Sequence, residues 1–299
     1  MERKASVILV NYNGAKYNFE CIDSILNSSY ENIEIIVVDN ASTDNSVELL
    51  SNKYSNEIII LKSEINGGFS YANNIGIQYA LDNGSEYILL LNNDTVVNKN
   101  SISCLIQESI KNGNCATCPK INYYDRRDFI WSAGGKINWI TGNAVHFGIN
   151  EKENNIYNKK KYVDFATGCC ILLNKDIIKK IGYLEEKYFL YFEDVDYCMK
   201  INNNNIKILY CPNSIIYHKV SASTGGDETP LFIYYITRNR LLFNKKYNKN
   251  KLLFNVYFYA LIVYKTLKWK ISGKNNLINA MFDGIKDSRR NNYGKNSKY

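Results

Sequence analysis

No run of this 299-residue chain stays apolar long enough to cross a bilayer. The longest such stretch, Leu252 to Tyr264, is interrupted by Asn255, whereas a spanning helix needs about 20 apolar residues. Glu2, Arg3 and Lys4 are followed only by Ala5 to Val10 before polar Asn11, which is too short for a secretory signal. The expectation is a cytoplasmic protein, free or resting peripherally on the inner face of a membrane. Histidine is scarce, with only His146 and His218, and a lone histidine at a strand end is more often a surface or core residue than a ligand. There are eight cysteines, but Cys115 and Cys118 form a Cys-x-x-Cys with no second pair at zinc-ribbon spacing. Most lie in apolar stretches, which fits buried free thiols in a reducing compartment better than a disulfide framework. Gly-x-Gly-x-x-Gly is missing too. Asn11-Tyr12-Asn13-Gly14 stands after the first apolar run, so the dinucleotide fingerprint of dehydrogenases is excluded.

Acidic residues nearly vanish from the carboxyl-terminal part. From Leu231 onward there are 15 Lys and Arg against 2 Asp and Glu, leaving 22 against 27 in residues 1 to 230. A tail of about +13 on a body of about −5 suits an anionic partner such as a membrane surface, a phosphorylated substrate or nucleic acid. A solvated, poorly ordered end is the competing reading. At 45% hydrophobic and 22% charged the chain is an ordinary globular protein. Its length accommodates one large α/β domain, residues 1–230, with a basic helical extension, residues 231–299.

The body alternates strand and helix. Val7 to Val10, Ile33 to Val38, Ile58 to Leu61 and Tyr87 to Leu91 are continuous apolar runs, each followed by short polar residues or glycine. Helical stretches separate them, which predicts a parallel sheet covered on both faces. In such a sheet ligands lie beyond the carboxyl ends of the strands. Asp39 and the Asn92-Asn93-Asp94 cluster stand at those ends, although short amides and carboxylates also form simple turns. Gly67 and Gly68 precede a helix, where a bare backbone can approach a ligand or merely turn tightly.

Beyond Thr95 the pattern loosens into a helix near Ile102 to Lys111 and short irregular strands around Trp131, Gly134, Gly135, Trp139 and Gly142. Val163 to Leu173 contains Gly168 in an apolar run that predicts a strand lining the site. The aromatic segment Tyr188 to Phe192 then ends in Glu193, Asp194 and Asp196 at the start of a helix. Negative charge is favoured at a helix amino terminus. Aromatic walls would exclude water and raise the proton affinity of at least one acid, which suits a general base; helix capping is the plainer alternative. A strand at Ile206 to Tyr210, Pro212 and a strand at Ile215 to His218 follow. Leu231 to Phe243 and Leu252 to Lys270 predict helices with an apolar face beside Arg238, Arg240, Lys265, Lys268 and Lys270. They would rest on anionic headgroups or pack on the body. Residues after about Asp287 read as disordered.

Six motifs occur in order: Val7-x-x-Val10-Asn11-Tyr12-Asn13, Val38-Asp39-Asn40-x-Ser42-x-Asp44, Asn66-Gly67-Gly68-Phe69 with Asn73-Asn74-x-Gly76, Leu91-Asn92-Asn93-Asp94, Gly168, and Phe192-Glu193-Asp194-x-Asp196. Together, over roughly residues 5 to 245, they resemble the family-2 glycosyltransferases. The similarity is strongest to the rhamnosyltransferase-like branch that builds bacterial surface polysaccharides. The resemblance implies a GT-A fold: a Rossmann-like nucleotide-binding half, a mixed central sheet and a carboxyl-terminal helical extension. It implies an inverting, metal-dependent transfer of a sugar from a UDP- or dTDP-sugar to a glycan or lipid-linked acceptor. No nucleic-acid partner is expected.

Residue by residue, the resemblance puts Asn11, Tyr12, Asn13 and Asp39 beside the base and ribose, with Gly67, Gly68, Asn73 and Asn93 continuing the nucleotide pocket. Asn92-Asn93-Asp94 occupies the place of the family's Asp-x-Asp motif. Asp94 would ligate Mg2+ or Mn2+, with His218 as a further ligand. Asp194 would deprotonate the acceptor, supported by Glu193 and Asp196, while Arg238 and Asn239 would contact the acceptor or the leaving diphosphate. The departure is Asn92, whose amide oxygen is a weaker ligand for a hard cation than a carboxylate. It opens a second reading, a nucleotide-sugar-binding scaffold with weak or no catalysis.

Overall fold

The computed structural model describes residues 2–220 and 228–299. In chain order these form β1 (Ala5–Asn11), α1 (Asn18–Leu26), β2 (Ile33–Asp39), α2 (Ser46–Tyr54), β3 (Ile58–Lys62), α3 (Phe69–Asp82), β4 (Tyr87–Leu91), β5 (Thr95–Val97) and α4 (Ser101–Lys111). Then come β6 (Ala116–Tyr123), β7 (Ile130–Ser132), β8 (Gly135–Asn138), β9 (Asn143–His146), β10 (Lys161–Val163), β11 (Cys170–Asn174) and α5 (Lys175–Ile181). The remainder is α6 (Glu193–Asn203), β12 (Ile208–His218), α7 (Pro230–Tyr247), α8 (Lys251–Ile271) and α9 (Asn275–Arg289).

The main sheet runs β10-β12-β6-β11-β4-β1-β2-β3, with β5 on β12 and β7 on β6. Strands β3, β2, β1 and β4 are mutually parallel, in register Asn11 to Asp39 and Leu9 to Leu91. Strand β11 then enters antiparallel beside β4. The sheet is therefore mixed, with a Rossmann-like half, as the fold class requires. Its apolar runs alternate between two cores because successive side chains point to opposite faces. Ile8, Ile36, Val38 and Leu90 pack with Ala72, Ile77 and Ala80 of α3. Val7, Leu9, Val37 and Leu91 pack with Ile22 and Ile25 of α1 and Leu105 of α4.

Three expectations change. Ile208 to His218 is one strand rather than two, because a bulge between Cys211 and Ile215 absorbs Pro212 without ending the pairing with β6. The run Val163 to Leu173 is not a single strand, since only β10 and β11 at its ends pair in the sheet. The residues after Asp287 are tied down rather than loose. Helix α9 runs to Arg289, Gly294 N–H donates to the Lys187 carbonyl at 2.9 Å, and the Tyr299 ring stacks on Tyr234 at 4.5 Å.

Helix α7 is unusual in burying polar residues, among them Arg238, Asn239, Arg240 and Asn244. Arg238 and Arg240 therefore form no lipid-facing basic strip. Arg240 donates to the Thr141 carbonyl and Asn244 to that of Gly142, which pins the β8–β9 turn against α7. Helices α7 and α9 also close a third core of Ile233, Tyr235, Leu277 and Met281 around Phe189. All eight cysteines are free, and all but Cys104 are buried.

Candidate active site

The parallel strands end together, and their last residues form one hydrogen-bonded chain. Asn11 Nδ2 donates to Asp39 Oδ1 at 2.8 Å, Asn18 Nδ2 to Asn11 Oδ1 at 2.7 Å, and Asn93 Nδ2 to Asn18 Oδ1 at 2.8 Å. These amides fix the ends of β1, β2 and β4 relative to one another through α1. Asn13, at φ 53°, accepts from the backbone N–H groups of Thr43 and Asp44, joining the loops after β1 and β2. Tyr12 is exposed at the rim. Asn40 holds the next turn, accepting from Gly67 N–H and donating to Asn66.

The absent side chain at Gly68 admits protein. A Cβ there would lie 2.3 Å from the Phe189 carbonyl, which accepts from Phe69 N–H at 2.9 Å. Asn73 is likewise turned into its own helix, donating to the Phe69 carbonyl. The glycine turn thus docks the loop before α6 through Gly68.

At the end of β4, Asp94 is buried, and its Oδ1 stands 3.2 Å from His218 Nε2 without a hydrogen bond; His218 Nδ1 also lacks a hydrogen-bond partner. Strand β12 delivers His218 through its pairing with Thr95. The Trp131 ring packs edge-on against His218 at 4.5 Å and 5.0 Å from His146. Burial, with His218 nearby, pulls His146 down to about 4, so it stays neutral. Two donors that converge this closely without bonding are arranged as ligands of a cation would be. Among the described residues no group of three or more His, Cys, Asp or Glu converges, so water or a bound ligand would have to complete the shell.

Asp194 sits in the first turn of α6, after a loop whose backbone is left-handed at Phe189, Tyr191 and Phe192, with φ of 63°, 66° and 74°. Asp194 Oδ2 accepts from Gly168 N–H at 2.9 Å and Oδ1 from Val195 N–H at 2.8 Å. Gly168 permits this approach, because a Cβ there would lie 3.3 Å from both Asp194 Cβ and the Phe69 ring. Burial raises the Asp194 carboxyl, and the backbone N–H groups partly offset the rise. Glu193 is raised well above its ordinary range by burial and then by the neighbouring Asp194 charge, and its Oε2 has no hydrogen-bond partner. Burial raises both acids, and with the backbone donors on Asp194 the first proton of the pair is favoured on Glu193.

Asp94 and Asp194 converge through adjacent residues. Gly168 binds Asp194, and the carbonyl of Cys169 accepts from Asn92 N–H at 2.9 Å. Burial holds the Cys169 thiol protonated, and the charges of both Asp94 and Asp194 push it further the same way. Both carboxylates are therefore within electrostatic reach of one sulfur, just before the start of β11.

Asp196 does not join them. Two positions on, it points to the opposite side of α6; it is fully buried, accepting from Lys246 Nζ at 2.8 Å and Tyr188 Oη at 3.0 Å. Arg238 and Asn239 also face protein. Asn239 Nδ2 donates to the carbonyls of Tyr188, Leu190 and Tyr191 at 2.7–2.9 Å, and Arg238 donates to those of Tyr188 and Gly294. With those donors engaged inside the fold, contact with an acceptor or diphosphate gives way to holding the loop in front of Asp194. Sequence reasoning missed Asn18 and Lys246. A buried amide opening α1 carries no motif, and Lys246 lies 50 residues from its carboxylate.

The class is clear from this frame: an α/β fold of the GT-A type, with its polar site at the carboxyl ends of a Rossmann-like half and a helical layer behind the acidic loop. The chain belongs to glycosyl transferase family 2, whose model matches residues 6–182. It is 28% identical over 238 residues to the low-salt glycan biosynthesis hexosyltransferase Agl10 of Haloferax volcanii, covering 79% of this chain and 74% of that one. It is 24% identical to the dTDP-rhamnosyl transferase RfbF of Shigella flexneri over 96% of this chain and 97% of that one. In fold it is similar to GalNAc-T7, crystallised with UDP, GalNAc and Mn2+. That match has a TM-score of 0.67 at 16% identity, over 86% of this chain and half of that one.

Proposed function

We propose that this protein is an inverting glycosyltransferase that moves a sugar from a UDP- or dTDP-sugar to a glycan or lipid-linked acceptor in polysaccharide synthesis. In this reading residues 1–230 carry the donor and metal sites. Residues 231–299 brace the loop that presents the base. The observation that carries it is the convergence of Asp94 and Asp194 across Gly168-Cys169. It leaves one carboxylate for the phosphate side of a donor and one for the incoming alcohol. Membership of the family and the likeness to RfbF support this reading, including its rhamnosyltransferase-like assignment.

In this mechanism Asn11, Asn13, Asp39 and Asn93 bound the nucleoside, with Tyr12 at the rim and Gly67, Gly68 and Asn73 shaping the wall behind. Asp94 and His218, with the Asn92 amide, would hold Mg2+ or Mn2+; when bound, the cation neutralises charge on the donor diphosphate. Asp194 accepts the acceptor's hydroxyl proton as that oxygen attacks C1. The bond from C1 to the diphosphate oxygen breaks, and its electron pair leaves with the nucleotide. Glu193, kept protonated, leaves Asp194 the basic member of the pair. Asp196 holds α6 in place through Lys246 and Tyr188.

Thermal shift against uridine, thymidine and guanosine diphosphate sugars identifies the donor, and transfer is then measured with and without Mn2+. The expected result is metal-stimulated turnover that Asp194→Asn abolishes while nucleotide affinity persists. Metal-independent nucleotide binding with no turnover would instead establish the scaffold reading.

A further inference from the structure

Helix α8 is built the wrong way round for a helix in water. Its inward side is held by Phe254, Phe258 and Trp269, all buried. Its outward side carries Leu252, Val256, Tyr259, Val263, Leu267 and Ile271, with exposures between 56% and 87%. At 100° per residue these residues lie within about 120° of arc along a helix about 30 Å long. The helix contains neither Asp nor Glu, and Lys270 is the one charge within that arc. A soluble monomer rarely leaves so long an apolar stripe uncovered.

Beside the stripe, between α7, α8 and α9, runs a groove of about 320 Å³ floored by Phe254 and Phe258. Its rim carries Lys245, Lys251 and Arg289, all exposed. Residues 231–299 hold 15 Lys and Arg against 2 Asp and Glu. No helix among the described residues is long and apolar enough to cross a membrane.

We propose that the outward face of α8, with the basic rim of this groove, is a surface that lies on an anionic lipid bilayer. The stripe enters the boundary between headgroups and acyl chains, with Tyr259 and Tyr264 at the depth aromatic rings favour. Lys245, Lys251, Lys270 and Arg289 meet the lipid phosphates. A second copy is disfavoured as the occupant, because a two-fold contact through α8 would set these basic rims against each other. The inference does not depend on which donor or acceptor the site uses.

The test is co-sedimentation of the full chain with vesicles of phosphatidylcholine alone and of phosphatidylcholine with phosphatidylglycerol. Binding is expected to the anionic vesicles, to weaken with salt, and to fall at least about tenfold with Val256→Asp/Val263→Asp. Both side chains are exposed, so melting temperature and nucleotide affinity should stay at wild-type values. Val256→Ser/Val263→Ser, which adds no charge, should show a smaller loss in the same direction. Lys251→Glu/Arg289→Glu should remove the preference for anionic lipid. Absence of binding to either vesicle, or binding indifferent to the Asp pair, would overturn the proposal. So would light scattering that shows a dimer which the Asp pair converts to monomer, since a second copy would then cover the face.

Discussion

Asn239→Ala tests whether the loop that presents Asp194 is held from behind. Asn239 Nδ2 serves three carbonyls, those of Tyr188, Leu190 and Tyr191, and the side chain is fully buried. Removing it leaves those carbonyls without that donor inside the protein, at about 1–3 kcal/mol for each unmet group. Two amide hydrogens are lost, so the total is about 2–6 kcal/mol. The clamped segment contains three non-glycine residues at positive φ, each disfavoured by about 1–2 kcal/mol. Stored strain and lost restraint are of similar size, so the loop should relax and carry α6's first turn with it. A displacement near 1 Å at a reacting group costs about a hundredfold in rate. We therefore expect kcat to fall about a hundredfold in a transfer assay, with nucleotide Kd by calorimetry unchanged and a lowered melting temperature. Asn239→Asp, which keeps the shape but sets a carboxylate against three carbonyls, should be worse. Near-normal kcat in a folded Asn239→Ala protein would refute the clamp. A rise in acceptor KM with kcat preserved would return Asn239 to direct acceptor contact.

Other expectations follow from the same geometry. Asp194→Asn should cut turnover by about two to four orders of magnitude, with nucleotide affinity retained; wild-type transfer would sink the base assignment. Because burial raises Asp194 and the base must be ionised, kcat/KM should climb with pH through a limb above the ordinary carboxylate range; a flat acidic side would contradict it. Glu193 is raised above its unfolded value, so the stability it contributes is complete below the ordinary carboxylate range and is lost as pH rises through its folded value. The melting-temperature gain of Glu193→Gln over wild type should accordingly grow as pH rises, and a pH-independent difference would be inconsistent with a buried protonated acid. His218→Ala should raise the Mn2+ concentration needed for half-maximal transfer by about tenfold or more, with metal-free nucleotide affinity unchanged; an unaltered Mn2+ titration would remove His218 from the metal site.

Some of this was legible along the chain because it is encoded locally. Continuous apolar runs ending in Asn11, Asp39 and Asn92-Asn93-Asp94 announce buried parallel strands and a polar rim at their carboxyl ends. Gly168 and Phe192-Glu193-Asp194 mark the second acidic element. Other features were hidden for identifiable reasons. Pro212 suggested a strand break because a bulge is a relation between two strands and leaves no trace in one of them. The residues after Asp287 read as disordered because their order rests on Gly294, Asn296 and Tyr299 meeting Lys187, Tyr235 and Tyr234 far away in the sequence.

The sequence by itself determined the alternating α/β plan, the free buried thiols and the family, since strand runs, turn residues and motif order are properties of neighbours along the chain. Only the tertiary structure decided which polar residues face the site and which face the protein. Asp194 and Asp196 are two positions apart in one motif, yet α6 turns one toward Gly168 and the other into Lys246. Arg238 and Asn239 look like ligand contacts until the loop they hold is in place. A side chain's partner is set by where the helix carrying it packs, and that packing is fixed by contacts between residues far apart in sequence.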